Sequence, residues 1–288
     1  MKGETIYGQS LQYVSGLRVA GRRSQDFLYN ERVVYVLRSE VCNCFTTPLT
    51  GPAFPNTTYR FTNREYLNII YRTDAAALRK VVPEPLEVIE PLVRFEMMRM
   101  PDVTGLGSYT ESGQVIPVRY QGEEGDYLHA MYLDNLPAIA LGREVSAYPK
   151  LLGTPKLYVD NDTLVGTLDY GSLRVATATM GYKHYPIDKI EAYHQINRPT
   201  FMVKIMRGYA GEPKICELIR TQTTDITIHG AWKGPARLQL FAHALAPLSD
   251  LPVLEIVSAS HILTDLTLAP AKVVYDYLAE KHSMEKCI

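Results

Sequence analysis

Short runs with the residue preferences of β-strands, separated by turn residues, dominate this 288-residue chain. Residues 66–71 and 92–97 alternate between apolar and polar types, which is typical of strands buried on one face. Residues 163–168 and 174–180 flank Asp169-Tyr170-Gly171-Ser172, so we expect an antiparallel hairpin there. The pattern favours antiparallel β-structure over a helical bundle.

Three later runs, residues 201–206, 215–228 and 253–268, are rich in the β-branched and aliphatic residues that strands favour. Together with the earlier runs they predict a mainly β, β-rich α+β fold. We expect an antiparallel, barrel-like single domain with a few short helices. The length allows a sizeable core within one such domain.

Two short helices are predicted. The first begins near Thr73 or Asp74, which are good N-cap types, and ends before Pro83. The second runs from Pro270 to about Lys281, because proline is favoured in the first turn of a helix.

The charge balance argues against two classes of partner. Lysine and arginine number 30 against 31 acidic residues, which gives a formal net charge of -1. Nucleic-acid and membrane-surface proteins usually carry a basic patch or a strong net charge. We therefore expect neither partner, and an anionic ligand would have to be attracted by a local cation.

The cysteines and histidines show no metal-ligand spacing. The four cysteines include one isolated C-x-C at Cys42 and Cys44, which is a weak metal signal without a partner pair. Few and scattered, they indicate reduced thiols in a cytosol. The histidines form no H-E-x-x-H array, and no glycine-rich nucleotide motif is present. We predict no metal and no cofactor.

Lys150 lies in the segment GREVSAYPKLLGTPKL, residues 142–157. Its nearest side chains, Tyr148, Leu151 and Leu152, offer it no carboxylate, and Pro149 fixes the angle at which it leaves the backbone. Burial disfavours the ammonium form of a lysine, and an uncharged amine is a nucleophile. A solvated lysine in a Pro-Lys turn is the alternative interpretation.

Long stretches on both sides of Lys150 carry a resemblance to a known family. They are TPLTGPAFPNTTYRFTNREYLNIIYRTD (47–74), LRKVVPEPLEVIEPLVRFEM (78–97), GLGSYTESGQVIPV (105–118), GDYLHAMYLDNLPAIALGRE (125–144), DTLVGTLDYGSLRVATATMGYKH (162–184), ICELI (215–219), GPARLQLFAHALAPLSDLPVLEIVSASHIL (234–263) and VVYDYL (273–278). Over residues 46–278 the chain thus resembles the acetoacetate decarboxylase family.

The resemblance implies a Schiff-base lysine at Lys150, an active-site glutamate at Glu111 in YTESGQ and an active-site arginine at Arg64 in FTNREY. A protonated imine accepts the electron pair of a departing carboxylate far better than a ketone does. The planar fork of Arg64 can position a carboxylate, either the substrate's or that of Glu111. Glu111 then orients water, shuttles a proton or holds Arg64. Both residues also suit polar turns, which is the structural alternative.

Two further residues are candidates for substrate binding. Alternation in LVRFEMM places Arg94 and Glu96 on the strand face opposite Val93 and Phe95. Glu96 therefore either lines the pocket or meets water. Tyr148 is either a pocket wall or ordinary core.

By resemblance, the protein is a cytoplasmic carboxy-lyase that converts acetoacetate to acetone and carbon dioxide. The family fold is a β-barrel with the lysine in an apolar cavity, and its members form large homo-oligomers. The implied partner is a small 3-oxo acid. Two other functions stay open: another imine reaction on the same scaffold, such as aldol or retro-aldol chemistry, and a non-catalytic barrel that binds small ligands.

One residue departs from the family pattern. Many members have a second lysine directly after the catalytic one, whereas this chain has Leu151. If residues 148–152 are extended, successive side chains point to opposite faces, so residue 151 points away from the amine. We therefore expect Leu151 to affect the reaction little.

Residues 1–45 precede the catalytic domain, which we place at residues 46–288, and the family resemblance does not cover them. They contain no stretch apolar enough for a membrane helix or a secretory signal. One interpretation is a real extension, with a strand-like run at 33–37 and a role in oligomer contacts. The other is a disordered arm or an artefact of start-site assignment.

Overall fold

The structure is a computed structural model that describes residues 36–279. The described residues fall into two units that divide between Asn43 and Cys44. In the first unit, helix α1 (Arg38–Asn43) has exposed side chains. Residues 33–35 of the predicted strand-like run lie outside the described residues, and the domain boundary after residue 45 stays a prediction.

The second unit consists mainly of antiparallel strands. In chain order they are β1 (Arg60–Arg72), β2 (Glu87–Val88), β3 (Leu92–Val103), β4 (Gly107–Tyr120), β5 (Glu123–Leu133), β6 (Lys150–Leu152), β7 (Thr154–Asp160), β8 (Thr163–Tyr170), β9 (Leu173–Gly181), β10 (Tyr185–Pro186), β11 (Thr200–Arg207), β12 (Pro213–Thr221), β13 (Thr223–Lys233), β14 (Ala236–Leu240), β15 (Glu255–Leu268) and β16 (Lys272–Asp276). The mainly β prediction is confirmed.

The strands form two sheets. The larger has twelve strands in the order β10-β13-β15-β1-β3-β4-β5-β11-β12-β16, with β2 beside β4 and β6 beside β5. The smaller has the order β14-β9-β8-β7. The path of the larger sheet ends at β10 and β16, so among the described strands the sheet is open and does not close into the barrel that the sequence suggested.

Alternation along the strands gives the large sheet two apolar faces. On one face, Leu67 and Phe95 pack with Leu164 and Val175 of the small sheet. The two sheets approach closely at Gly166, where an added Cβ would lie 2.7 Å from Met97 Cγ. This contact builds the main core.

The other face of the large sheet carries a second apolar cluster, which includes Tyr66, Met98 and Leu133. Short helices follow the strands: α2 (Ala75–Arg79), α3 (Leu136–Leu141), a π-helix (Gly142–Ser146), α4 (Lys189–Ile196) and a 3₁₀ turn (Leu248–Asp250). None of the described helices has the length and apolar character needed to cross a membrane. The candidate site lies on this second face.

The local predictions met different outcomes. The hairpin around residues 169–172 is confirmed, because β8 and β9 pair antiparallel. Helix α2 is also confirmed, and the carboxylate of Asp74 accepts a hydrogen bond from the Ala77 amide as its N-cap. The prediction of a second helix from Pro270 is wrong, since Lys272–Asp276 forms β16 and pairs with β12. Val273, Val274 and Tyr275 favour a strand, and β12 offers them a partner.

Candidate active site

A cavity of about 90 Å³ lies on the second face of the large sheet. All five candidate residues from the sequence, Arg64, Glu96, Glu111, Tyr148 and Lys150, line it. The rest of its wall comes from neighbouring strands and from α4, through Phe61, Tyr66, Arg94, Tyr109, Val115, Asp126, Leu128, Met131, Gln195, Ile196, Arg198, Thr200, Thr223 and Leu268. Folding therefore brings together side chains that are distant in the sequence.

The backbone of Lys150 is fixed by the turn before it. Ala147 follows the π-helix and has a left-handed φ of 66°, and the Tyr148 amide donates to the Gly142 carbonyl at 2.9 Å. Arg143 Nη1 donates to the Lys150 carbonyl at 3.2 Å. β6 then pairs parallel to β5, with Lys150 opposite Met131. This arrangement turns the lysine side chain into the cavity.

The Lys150 amine is enclosed. The residue is only 7% exposed, and its Nζ lies 5.1 Å from the Tyr148 ring centre and 5.7 Å from that of Tyr109. Glu111 Oε2 is 3.3 Å from Nζ, although the two atoms are not aligned as a hydrogen bond. The solvated-turn alternative for Lys150 is therefore wrong, and folding supplies the carboxylate that its sequence neighbours lack.

Glu111 lies within β4 and not in a turn. Its backbone is flanked by Met98 of β3 and Leu133 of β5, and the residue is 2% exposed. Burial of a carboxylate is costly unless a cation or hydrogen bonds compensate. Among the described residues, the basic group within ion-pair distance of this carboxylate is the Lys150 amine.

A β-bulge directs Arg64 into the cavity. The pairing of β1 with β15 shifts register between Phe61 and Arg64, and Asn63 has a positive φ of 53°. The Asn63 amide donates to Asp265 Oδ1 at 2.7 Å, which holds the bulge in place. Bulges commonly re-aim a side chain in this way. Arg64 is thus a strand residue, and the polar-turn alternative is wrong.

The guanidinium of Arg64 lies between aromatic rings. Its Cζ is 4.6 Å from the ring centre of Tyr66 and 5.0 Å from that of Phe61. Burial alone would lower the pKa of Arg64, but Tyr66 and Glu111 outweigh it, and the pKa lies above its ordinary value. Its Nη2 donates to Met98 Sδ at 2.7 Å, and its Nε lacks a hydrogen-bond partner. Within residues 36–279 no carboxylate forms an ion pair with Arg64. The cation is therefore free to bind an anion.

Glu96 belongs to a second charged group in the wall. Arg94 Nε donates to Glu96 at 2.6 Å, and Arg94 Nη2 donates to Asp126 at 2.8 Å. Arg198 Nε donates to the other oxygen of Asp126 at 3.0 Å. Glu96 thus faces the pocket, but its carboxylate already accepts a hydrogen bond from Arg94.

Three tyrosines surround the reactive groups and remain protonated. Burial raises the pKa of Tyr66 to about 12, and burial also raises the pKa of Tyr109 and of Tyr148 above the ordinary value. Each can donate a hydrogen bond at neutral pH. The site therefore combines one amine, one nearby carboxylate, an unpaired guanidinium and neutral hydroxyl groups.

Comparison with known proteins agrees with this geometry. The family model described as acetoacetate decarboxylase matches residues 45–278. The chain belongs to the acetoacetate decarboxylase family. An acetoacetate decarboxylase of Clostridium beijerinckii is 73% identical over 85% of this chain and 100% of its own length. A relative of the same name from Clostridium acetobutylicum is 68% identical over 84% of this chain and 100% of its own length.

Solved structures of the family have the same fold. A structure of acetoacetate decarboxylase with 67% identity covers 84% of this chain and 99% of its own, with a TM-score of 0.83. The crystal structure of acetoacetate decarboxylase from Legionella pneumophila has 47% identity, covers 88% of this chain and 100% of its own, and has a TM-score of 0.79.

In this member of the acetoacetate decarboxylase family, sequence reasoning missed several pocket residues. Tyr66 and Tyr109 lie two positions from Arg64 and Glu111 on the same strands, so strand periodicity could have found them. Asp126 and Arg198 gave no local signal. In the part of the chain that the structure describes, no three His, Cys, Asp or Glu side chains form a group suited to a metal ion.

Proposed function

We propose that this chain decarboxylates acetoacetate to acetone and carbon dioxide through an imine on Lys150. The relatives described above carry the name acetoacetate decarboxylase. One observation carries the assignment: the buried Lys150 amine and the buried Arg64 guanidinium line the same small cavity. The guanidinium has no carboxylate partner among the described residues. A 3-oxo acid supplies the two groups that these residues require, a ketone for Lys150 and a carboxylate for Arg64.

The reaction follows from these two contacts. The Lys150 amine attacks the ketone carbon, and loss of water gives a protonated imine. The bond to the carboxylate carbon then breaks, carbon dioxide leaves, and the electron pair moves into the imine to give an enamine. Protonation at carbon and hydrolysis release acetone and regenerate the amine.

The charged side chains of the cavity wall suit these reaction steps. The three cations Arg64, Arg94 and Arg198 and the three carboxylates Glu96, Glu111 and Asp126 line the same wall. A protonated imine adds one positive charge at residue 150, and the substrate carboxylate balances it. Loss of carbon dioxide removes one charge of each sign, so the buried site stays balanced through the step.

Glu111 is placed to move protons for the amine. Its Oε2 lies 3.3 Å from Lys150 Nζ, which is close to the reach of a general acid or base. We assign it the proton that leaves the amine during attack and the proton that water needs during imine formation. Tyr148 and Glu96 shape the wall, and Tyr148 excludes water from the amine.

Two wider properties belong to the same proposal. The protein acts in the cytoplasm, and it assembles into a large homo-oligomer, as the family resemblance implies. Its scattered thiols suit a reducing compartment.

The test is an assay of the purified chain with acetoacetate, in which carbon dioxide and acetone are both measured. Lys150→Ala should abolish turnover while circular dichroism and melting temperature stay close to those of the native chain. Lys156→Ala, which removes an exposed lysine from β7, is the matched control and should keep full activity. Near-normal turnover in Lys150→Ala, or aldol products without carbon dioxide, would overturn the assignment.

A further inference from the structure

The catalytic cavity lies beside a much larger groove. The inner cavity of about 90 Å³ and an outer groove of about 850 Å³ share four lining residues, Arg94, Asp126, Gln195 and Arg198. These four residues lie between the two spaces, and we call them the neck. A substrate that enters from this groove must pass these four side chains before it reaches Lys150.

A buried carboxylate at the neck holds two arginines. Asp126 is 2% exposed and accepts hydrogen bonds from Arg94 Nη2 at 2.8 Å and from Arg198 Nε at 3.0 Å. The two guanidinium groups differ in what else they bind. Arg94 also pairs with Glu96 at 2.6 Å, which balances its charge.

Arg198 keeps donors available. Its side chain is about one-third exposed, and beyond Asp126 it makes only a long contact, from Nη2 to the Gly125 carbonyl at 3.4 Å. Nη1 has no hydrogen-bond partner among residues 36–279. A guanidinium carries five N–H donors in a fixed fork, so Arg198 can keep Asp126 and still bind a second anion.

The backbone that carries Arg198 is fixed to the sheet. Arg198 lies between α4 and β11, and the next carbonyl, that of Pro199, accepts a hydrogen bond from the Asp126 amide at 2.8 Å. An added Cβ at Gly125 would lie 2.6 Å from the same carbonyl oxygen, so only glycine allows this close approach. The free donors of Arg198 are therefore held at the neck.

Gln195, which belongs to α4, is also fixed in place. Ser260 Oγ donates to Gln195 Oε1 at 2.9 Å. Gln195 is neutral, and the other neck cation, Arg94, is paired with two carboxylates. Arg198 is thus the neck residue with a charge and donors to offer an incoming anion.

We propose that Arg198 is a carboxylate-binding residue at the neck, which captures the anionic 3-oxo acid in the groove before its carboxylate passes to Arg64. The inference rests on the proposed function and extends it to the entry step. Arg198 acts on substrate binding and not on the chemistry at Lys150, so its loss should raise KM and leave kcat unchanged.

The test compares two ketones in the native chain and in three variants. Acetoacetate carries the carboxylate, whereas pentane-2,4-dione replaces it by a neutral acetyl group and forms an enamine adduct that absorbs ultraviolet light. Arg198→Gln should lower kcat/KM for acetoacetate by about 10- to 100-fold, the range expected for a hydrogen bond to a charged group. Its kcat and its rate of adduct formation with the diketone should stay within about twofold of native.

Arg220→Gln is the matched control, because Arg220 is also partly exposed and also pairs with one carboxylate, Glu123 at 2.7 Å. It should leave both reactions unchanged. Arg198→Lys, which keeps the charge but not the planar fork of donors, should recover part of the lost kcat/KM. Added salt should lower kcat/KM for acetoacetate more in the native chain than in Arg198→Gln, because salt screens the charge of Arg198.

Equal loss with both ketones would show that Arg198 only supports Asp126, and no loss with either would show that entry does not use it. Either result overturns the capture role while decarboxylation by the native chain stands. Failure of the native chain to form an adduct with either ketone would overturn the proposed function itself, and the capture role with it.

Discussion

Gly142 determines how closely the backbone approaches the Lys150 side chain. A Cβ added at this position would lie 2.6 Å from Lys150 Cδ and 3.0 Å from Cε. The backbone of Gly142 has φ -60° and ψ -44°, which alanine adopts readily. An alanine there would therefore disturb the lysine side chain and not the backbone.

We predict that Gly142→Ala lowers kcat/KM for acetoacetate by about 10- to 100-fold, because a displacement of about 1 Å at a reacting group has effects of that size. Steady-state kinetics measure the loss, and thermal melting shows whether the fold persists. Gly51→Ala is the control, since nothing lies within 4 Å of an added Cβ there. Native activity in Gly142→Ala would show that Lys150 does not need this close contact.

At the scale of single elements, β6 separates Lys150 from the residue that follows it. Lys150 is buried, whereas Leu151 is 40% exposed, so residue 151 lies at the surface and outside the enclosure of the amine. A cation at position 151 would meet solvent and not the amine.

We therefore expect Leu151→Lys to change kcat and the pH profile of decarboxylation by less than about threefold, because water screens an exposed charge. Assays across a pH series give both quantities. A large rise in activity, or a shifted profile, would mean that residue 151 acts on the amine after all.

Strand β1 is anchored by the neighbour of Arg64. Glu65 contacts Arg99 Nη2 at 2.7 Å and His261 Nε2 at 2.9 Å, and the His261 ring stacks near Tyr182 and Trp232. Burial alone would raise the pKa of Glu65, but the hydrogen bond from His261 and the charge of Arg99 lower it below its ordinary value. The ionised carboxylate therefore stabilises the folded state.

A carboxyl group whose pKa is lowered by folding stabilises the folded state at pH values above its ordinary pKa. This stabilisation is lost as the pH falls through the lowered pKa. We predict that Glu65→Gln costs about 1.5 to 3 kcal/mol of unfolding free energy at neutral pH. The difference from native should shrink as the pH falls below about 4.5. Thermal melts over that range measure it, and a constant gap would exclude ionised Glu65 as the cause.

Individual elements also show where sequence patterns suffice. The hairpin of β8 and β9 was predictable, because its alternation, turn residues and partner are all local. β16 was not, since Pro270 suggested a helix and the pairing with β12 joins residues about 55 positions apart. Long-range pairing overrode the local signal there.

At the scale of the whole molecule, local sequence patterns also predict only part of the active site. Residue types and family resemblance singled out Lys150, Glu111 and Arg64, and the fold brings all three to one cavity. Arg94, Asp126 and Arg198 converge from β3, β5 and the segment after α4. No local pattern encodes that convergence, so the neck of the cavity became visible only in the fold.

The whole molecule also exposes apolar side chains near the active-site strand. Leu136 at the start of α3 is 71% exposed and Leu152 of β6 is 66% exposed, and α3 lies beside β6. Exposed apolar residues in one region are typical of subunit contacts. We predict a molar mass several times the 32.4 kDa of one chain in light scattering at micromolar concentration. A stable monomer would contradict the proposed assembly.

The proposed reaction depends on an imine between Lys150 and acetoacetate. The direct measurement is to incubate the chain with acetoacetate, reduce with borohydride and map the modified lysine by mass spectrometry, while released carbon dioxide is assayed in parallel. We predict one adduct, on Lys150, together with carbon dioxide. An adduct on another lysine, or carbon dioxide release without any trapped adduct, would contradict it.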